Sequence, residues 1–380
     1  MGIDGGRRWL VGAGIAAVVV LTAASCAQQS DLELVAAAPE DFAATPEFLG
    51  EAVSRSTEQS FRYEMTMAMH IGAPDEDMSL DFDLPFAHGA QDGNRYSVAM
   101  DFGELLQAMA DDVGGGEDLP FDPDTELGME AVGDTETMYM RAPFFSVMAE
   151  EIPSPDELEP GPGNDDLGAA VDLFEVFAGL GDRWARIDLT ALNEALPGAD
   201  ANAMPTGDSF DPMALFEVVA GSDQVEDLGT SEIDGVPVTG LAATVSLADL
   251  QQAQGVGSST VGLPTVDAPE REAVAEALAD VELPIEAWID GEGLVRRIQF
   301  TFGVDQVLAA AEAAEQVAPD DDFGDMTDAA QTALDEFEMR FGFDFSDYGD
   351  DSIDIQFPEE SDTVDVTEAY VDALSELAAS

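Results

Sequence analysis

Lysine is absent from this chain. All 12 of its basic residues are arginine, set against 81 aspartates and glutamates, and the formal net charge is −69. A surface this negative repels phosphate backbones, which excludes nucleic acid as a partner. The same field repels a membrane rich in anionic lipid unless something other than charge holds the protein there. Cysteine is nearly absent: Cys26 stands alone, so no intramolecular disulfide can form and the fold must hold by packing. Histidine is limited to His70 and His88, in separate predicted strands. With no GxSxG motif and no GxxxxGK[ST] loop, neither a serine hydrolase nor a P-loop enzyme has its parts. The acidic runs at 319–328 and 347–354 place glycine wrongly for an EF-hand and read as solvated loops. The expectation is a non-enzymatic protein with no catalytic residue, no metal and no cofactor.

What the chain does have is an apolar N-terminal stretch. Arg7 and Arg8 precede a run, residues 9–21, that is almost wholly apolar. It is too short to span a bilayer comfortably and matches the core of an export signal. Small residues and Cys26 follow. The segment resembles a bacterial lipoprotein signal, although Ala23 stands where leucine is usual, three residues before the cysteine. That resemblance implies a signal over 1–25, a diacylglyceryl thioether on Cys26, and a membrane partner through that acyl anchor on the extracytoplasmic face. The alternative is an ordinary signal cleaved near Ala24. Residues 26–44 read as a flexible tether, and 45–380 as a single domain.

The stretch FRYEMTMAMHIG, residues 61–72, puts Met65, Met67 and Met69 at every second position beside His70. Thioethers and an imidazole suit copper, but alternation in a strand puts the methionines on one face and His70 on the other. The pattern therefore reads as an apolar strand face lining a core or a cavity. Met138 and Met140 alternate likewise in ETMYMRAP. Further strands are expected at 78–87, 94–102, 183–189, 225–246, 283–302, 352–357 and 362–366, with Asp234-Gly235 and Asp290–Gly293 as hairpin turns. Helices are expected at 45–60, 166–181, 211–222, after Ser246, at 269–281, 305–318 and 327–341, and from Thr367 to about Leu377.

The order is a helix with LFEVVAGS, a hairpin SEIDGVPVTGLAATVS, a short helix LADLQQA, then strands LPIEAWID and GLVRRIQFTF. It resembles the actinobacterial LppX/LprG type of lipoprotein with a LolA-like fold. The resemblance spans 45–366 loosely and 213–302 best, with departures at about 251–282 and 303–351. It implies an α+β fold: a curled antiparallel half-barrel of about ten strands closed by helices around an apolar cavity. It also implies acylated lipid as the partner, bound or carried by an envelope protein. Candidate cavity residues are Met65, Met67, Met69, Met138, Met140, Trp288, Ile298 and Phe300. In GLVRRIQFTF, alternation sets Arg296 on the apolar side, so Arg296 is a candidate for an anionic headgroup, with Arg186 as a weaker one. If side chains from the two departures fill the cavity, the same fold becomes a non-enzymatic envelope sensor or interaction module.

Replacing Cys26 by serine is expected to release a soluble, non-acylated protein from cells. Membrane fractionation checks this: a Cys26→Ser variant that still needs detergent for extraction means that Cys26 is not the anchor.

Overall fold

A computed structural model describes residues 44–72, 79–103, 127–145, 176–195, 216, 218–222, 225–248, 278–279, 281–303, 306, 309 and 336–377. Cys26, the leader and nearly all of the tether lie outside these residues. So do most of 251–282 and of the helices expected at 166–181, 269–281 and 305–318, and half of the one expected at 211–222.

The described strands are β1 (Phe61–Gly72), β2 (Ser79–Asp92), β3 (Arg95–Asp101), β4 (Gly128–Gly133), β5 (Thr137–Arg141), β6 (Trp184–Asp188), β7 (Val225–Ile233), β8 (Val236–Ser246), β9 (Glu282–Asp290), β10 (Val295–Gly303), β11 (Glu336–Ser346) and β12 (Thr363–Asp365). Among the described residues three α-helices accompany them: α1 (Pro46–Thr57), α2 (Leu189–Ala195) and α3 (Thr367–Leu377). The strands form one sheet in the order β12-β6-β5-β4-β3-β2-β1-β11-β10-β9-β8-β7. On either side of the β2–β1 junction the neighbouring strands pair antiparallel, except where β12 runs parallel to β6. The α+β class and antiparallel meander agree with expectation. Among the described residues twelve strands stand where about ten were expected, and their sheet is open, with β7 and β12 at its edges.

Contacts group the chain into two compact units, Met1–Pro85 with Asp208–Asp350 and Phe86–Gly207 with Asp351–Ser380. In the first unit, α1 forms where its sequence dictates. The Thr45 hydroxyl accepts the Phe48 N–H at 3.2 Å and Pro46 opens the first turn, satisfying one orphan donor and presetting φ. Leu49, Ala52, Val53 and Ser56 form its buried stripe. Beneath lies the apolar face of β1, β11, β10, β9 and β8. One cross-strand row runs Met65–Phe343–Ile298–Ala287–Leu241, and the next Met67–Phe341–Phe300–Ile285–Ala243. All ten side chains are buried. The β7–β8 hairpin turns at Asp234-Gly235, both with positive φ, 49° and 79°, the geometry that a two-residue turn matched to strand twist requires.

The largest departure from expectation in this unit is β11. The 3.6-residue spacing of TDAAQTALDEFEMRF suggests a helix over 327–341, yet residues 336–346 are a strand. Met339, Phe341, Phe343 and Phe345 alternate inward and are buried. The two periods overlap in phase near Phe341, and the strand prevails because β1 and β10 supply ladder partners on both sides. The strand lies in the stretch set apart as a departure at 303–351.

In the second unit, Val98, Ala131, Met140 and Ala185 form one inward row across β3–β6. Met138 and Ile187 begin the next. Phe177 and Tyr370 lie edge to face over this core at 5.9 Å. The opposite face is covered by residues 352–357, expected to be a strand. They join no ladder. Instead Ile353 and Ile355 pack with Ala90 and Val132, while Phe357 meets Tyr139 and Trp184. Extended backbone laid across a sheet face shows the same two-residue period as a strand, because alternate side chains point at the sheet. Arg95 caps Phe357 at 5.1 Å and Arg141 lies over Trp184 at 5.8 Å.

If this strap is packed structure, Ile355→Ala should lower stability by about 2–5 kcal/mol. Its exposed neighbour Asp354→Ala should change stability by no more than about 0.5 kcal/mol. Urea unfolding of both variants makes the comparison; equal small effects would mark the segment as a loose loop.

Candidate functional site

The sequence-predicted residues separate into three settings. Met65, Met67, Ile298 and Phe300 share the apolar face of the first unit, between 0 and 5% exposed. The backbone of Met69 pairs with Met339 in the same alternation; its side chain lies outside the described ones. Met138 and Met140 are buried in the second unit, beside Ile187 and Ala185. His70 pairs with Glu338 on the side of β1 opposite Met65 and Met67.

Trp288 is a correction. It was expected to point inward, but Leu283, Ile285, Ala287 and Ile289 are the buried set on β9. Trp288 lies half-buried on the other face, with Glu286. Its indole spreads over Gly240, where a Cβ would stand 2.6 Å from the ring. A glycine across the ladder gives the indole room on that side, while the inward positions of β9 hold residues no larger than leucine.

The expected placing of Arg296 on the apolar side is a second correction. The β9–β10 register shifts between Val295 and Arg297. That bulge puts Val295 inward and releases Arg296 from the alternation. Its Nε donates to Asp290 Oδ2 at 2.6 Å, and its guanidinium lies over the Tyr348 ring at 5.2 Å. Arg297, on the outer face, is bidentate to Asp344 at 2.5 and 2.9 Å.

Around Arg296 the chain builds a dense polar cluster that sequence reasoning missed. The Asp290 side chain is 2% exposed. Its Oδ1 accepts the N–H groups of Glu292 and Leu294 at 2.8 and 3.0 Å, so both oxygens are occupied. Ser56 sits on the buried stripe of α1; its hydroxyl donates to Ala52 O and accepts from Val295 N at 2.9 Å. Tyr348 donates its hydroxyl to Val295 O at 2.5 Å. Burial pushes this phenol's pKa well above its ordinary value, against the opposing pull of Ser56 and Arg296. Arg55, at the end of α1, donates to Glu292 O at 2.5 Å and to Glu51 at 3.1 Å. One signal was readable beforehand: a serine on an otherwise apolar helical stripe needs a partner.

Two depressions flank the cluster. One, of about 570 Å³, is lined by Arg55, Gln59, Glu292, Arg296, Asp347 and Tyr348. The other, of about 380 Å³, is lined mainly by β8 and β9 residues from Val236 to Ile289, with Asp290, Glu292 and Arg296.

Arg186, in the second unit, pairs with Asp365 at 2.7 Å. Partial burial works against its charge, but the Asp365 carboxylate and the Tyr139 hydroxyl outweigh it and raise its pKa. Asp365 moves the other way: burial opposes ionisation, and hydrogen bonds from Thr367 with the Arg186 charge hold its pKa below the ordinary carboxylate value.

Removing Arg296 alone leaves the Asp290 charge buried and unpaired. Arg296→Met should therefore cost about 3–5 kcal/mol. Asp290→Asn in the same chain should recover part of that loss. Chemical denaturation of the single and double variants reads the difference; a double variant less stable than the single one contradicts the pairing argument.

No protein-family model matches the sequence, and no curated protein does. Solved structures match more broadly. LprF from Mycobacterium bovis superposes with a TM-score of 0.32 at 12% identity, over 83% of this chain and 99% of that one. The Mycobacterium tuberculosis lipoprotein LppX gives 0.31 and 10%, over 82% and 99%. A DUF1329 family protein from Desulfovibrio piger gives 0.21 and 9%, over 84% and 99%. The chain is similar to these proteins along most of its length. Superpositions this loose carry no argument about ligand, and the case for function rests on the chain's own residues.

Proposed function

We propose that this protein is a non-enzymatic envelope lipoprotein, held at the membrane by acyl chains on Cys26, that takes acylated lipid against the apolar face of its first unit. The observation that carries the reading is the composition of that face. Met65 and Met67 lie cross-strand to Phe343 and Phe341, which lie cross-strand to Ile298 and Phe300. Unbranched thioethers repack around variable shapes at small cost, and flat rings slide past alkyl chains, so the face suits chains of no fixed form.

A second reading has its own observation. Phe61, Phe216, Phe345 and Tyr348 pack ring on ring, with centroid separations of 4.8 to 6.2 Å. That end of the face is filled by the protein's own side chains. If the whole face is filled in this way, the protein is a sensor or interaction module with a solid core. Native mass spectrometry of protein taken from its host membrane separates the two: a lipid mass lost on denaturation supports the first reading, and bare protein supports the second.

Met67→Trp sharpens the test. Overpacking a solid core costs about 1–3 kcal/mol, whereas bulk added beside a ligand space displaces ligand. The expected outcome is near wild-type melting with loss of a fluorescent acyl probe that the wild type binds. A large fall in melting, with no probe bound by the wild type, assigns the solid core.

A further inference from the structure

The polar depression at the end of α1 has a property that the acyl-lipid reading does not use. Of its lining residues, Arg55 and Arg296 are cations, and Glu292 and Asp347 are anions. Arg296 is already oriented: Asp290 holds its Nε and Tyr348 supports its plane. Among the described residues no acceptor stands on its two terminal nitrogens, which leaves the flat outer edge of the fork available. That edge is the geometry that carboxylate and phosphate oxygens match in pairs. Glu292 is exposed, and it is its backbone carbonyl that receives Arg55, so its carboxylate has no described donor. Asp347 is engaged on one oxygen by Arg62 at 3.3 Å.

Net charge then decides which ligand fits. Every anion approaching this chain meets a body of formal charge −69, which opposes even a well-placed arginine. A cation is drawn everywhere and gains nothing special here. A ligand with both charges meets no net field, and is held only where both signs are presented a few ångströms apart. The geometry points to a binding site in this depression for a zwitterion carrying an oxyanion and an ammonium, with the oxyanion on Arg296 and Arg55 and the ammonium on Glu292 and Asp347. Its volume of about 570 Å³ falls within the range of small-ligand sites, about 300–1,000 Å³. A phosphodiester-ammonium lipid headgroup and a soluble zwitterion share this chemistry. The site stands apart from the acyl-chain reading, since it binds without an acyl chain.

The test uses the full chain and four probes: glycerophosphoethanolamine, glycerol phosphate, ethanolamine and a short-chain diacyl phosphatidylethanolamine below its micelle concentration. Binding is followed by calorimetry or by chemical shifts. Glycerophosphoethanolamine should bind at least tenfold more tightly than either half alone. Glu292→Gln, an exposed change that keeps the fold, should weaken it several-fold. Arg296→Gln combined with Asp290→Asn should abolish it, and Arg297→Gln, on the outer sheet face, should leave it unchanged. Equal affinity for the headgroup and the diacyl lipid identifies a soluble zwitterion as the ligand, and much tighter diacyl binding identifies a lipid. No saturable binding of either, binding indifferent to Glu292→Gln and to the Arg296 variant, or glycerol phosphate bound as well as the zwitterion overturns the inference. Acyl-probe binding at Met67 is a separate readout, so failure here leaves the acyl-chain proposal standing, and the reverse.

Discussion

The end of the first unit depends on one carboxylate. Asp290 is buried where an unpaired charge is not tolerated, and it survives there because every lone-pair direction in use meets a donor. Oδ1 takes two turn N–H groups, which fixes the path from β9 into β10. That path puts Gly293 at φ +78° and aims Glu292 O at Arg55. Oδ2 takes Arg296, which requires the bulge after Val295. The bulge in turn presents Val295 N to Ser56 and Val295 O to Tyr348. Helix α1 is thus docked to β10 by hydrogen bonds whose geometry is set by a carboxylate on another strand. Apolar burial supplies the bulk of the attraction between helix and sheet. These bonds supply register, because a buried backbone N–H left without its acceptor costs about 1–3 kcal/mol.

Much of this architecture was legible in the sequence, for identifiable reasons. Thr45-Pro46 announced α1, and Asp234-Gly235 and Asp290–Gly293 announced hairpins, because each signal is local chemistry that few backbones satisfy. The alternation in β1 was legible because Phe61, Tyr63, Met65, Met67, Met69 and Ile71 fall on one face by a two-residue period. The failures have a common cause: they needed knowledge of the partner. Residues 336–346 fit two periods, and only the presence of β1 and β10 on either side decides. Residues 352–357 alternate like a strand, but no ladder partner reaches them and the sheet face takes their isoleucines instead. β4, six residues that begin and end in glycine, was too short to stand out from the loops beside it. Strict alternation through β10 put Arg296 inside, and a bulge invisible in the sequence put it out. Alternation in β9 let either Trp288 or its neighbours Ala287 and Ile289 face inward, and the space for Trp288 was made on the other face by Gly240, across the ladder in β8.

The scarcity of positive charge organises the rest. Arg62 meets Asp347, Arg141 meets Glu130, Arg186 meets Asp365, and Arg297 meets Asp344. Half-exposed pairs of this kind contribute about 0–1 kcal/mol each. Their greater effect is local: each removes one term from the repulsion among neighbouring carboxylates. With so few cations, repulsion over the rest of the surface is left to counterions, whose screening reaches about 10 Å at 0.1 M salt and shortens as salt rises.

The same imbalance constrains how such a protein can work beside a membrane. Attraction by charge is unavailable, since an anionic leaflet repels each added carboxylate near its surface by an energy on the order of 1 kcal/mol. Only apolar contact can hold the protein there, and it does not need to be large in area: each buried methylene of an acyl chain contributes about 0.8 kcal/mol. Charge and apolar surface therefore act on different parts of the chain. On the proposed function, the acidic surface holds the domain off an anionic leaflet, and lasting association falls to acyl chains, those on Cys26 or those of a bound lipid. On the same proposed function, a protein built this way would meet lipid through methionine and phenylalanine, and charged groups where arginine is set among carboxylates, as it is around Asp290.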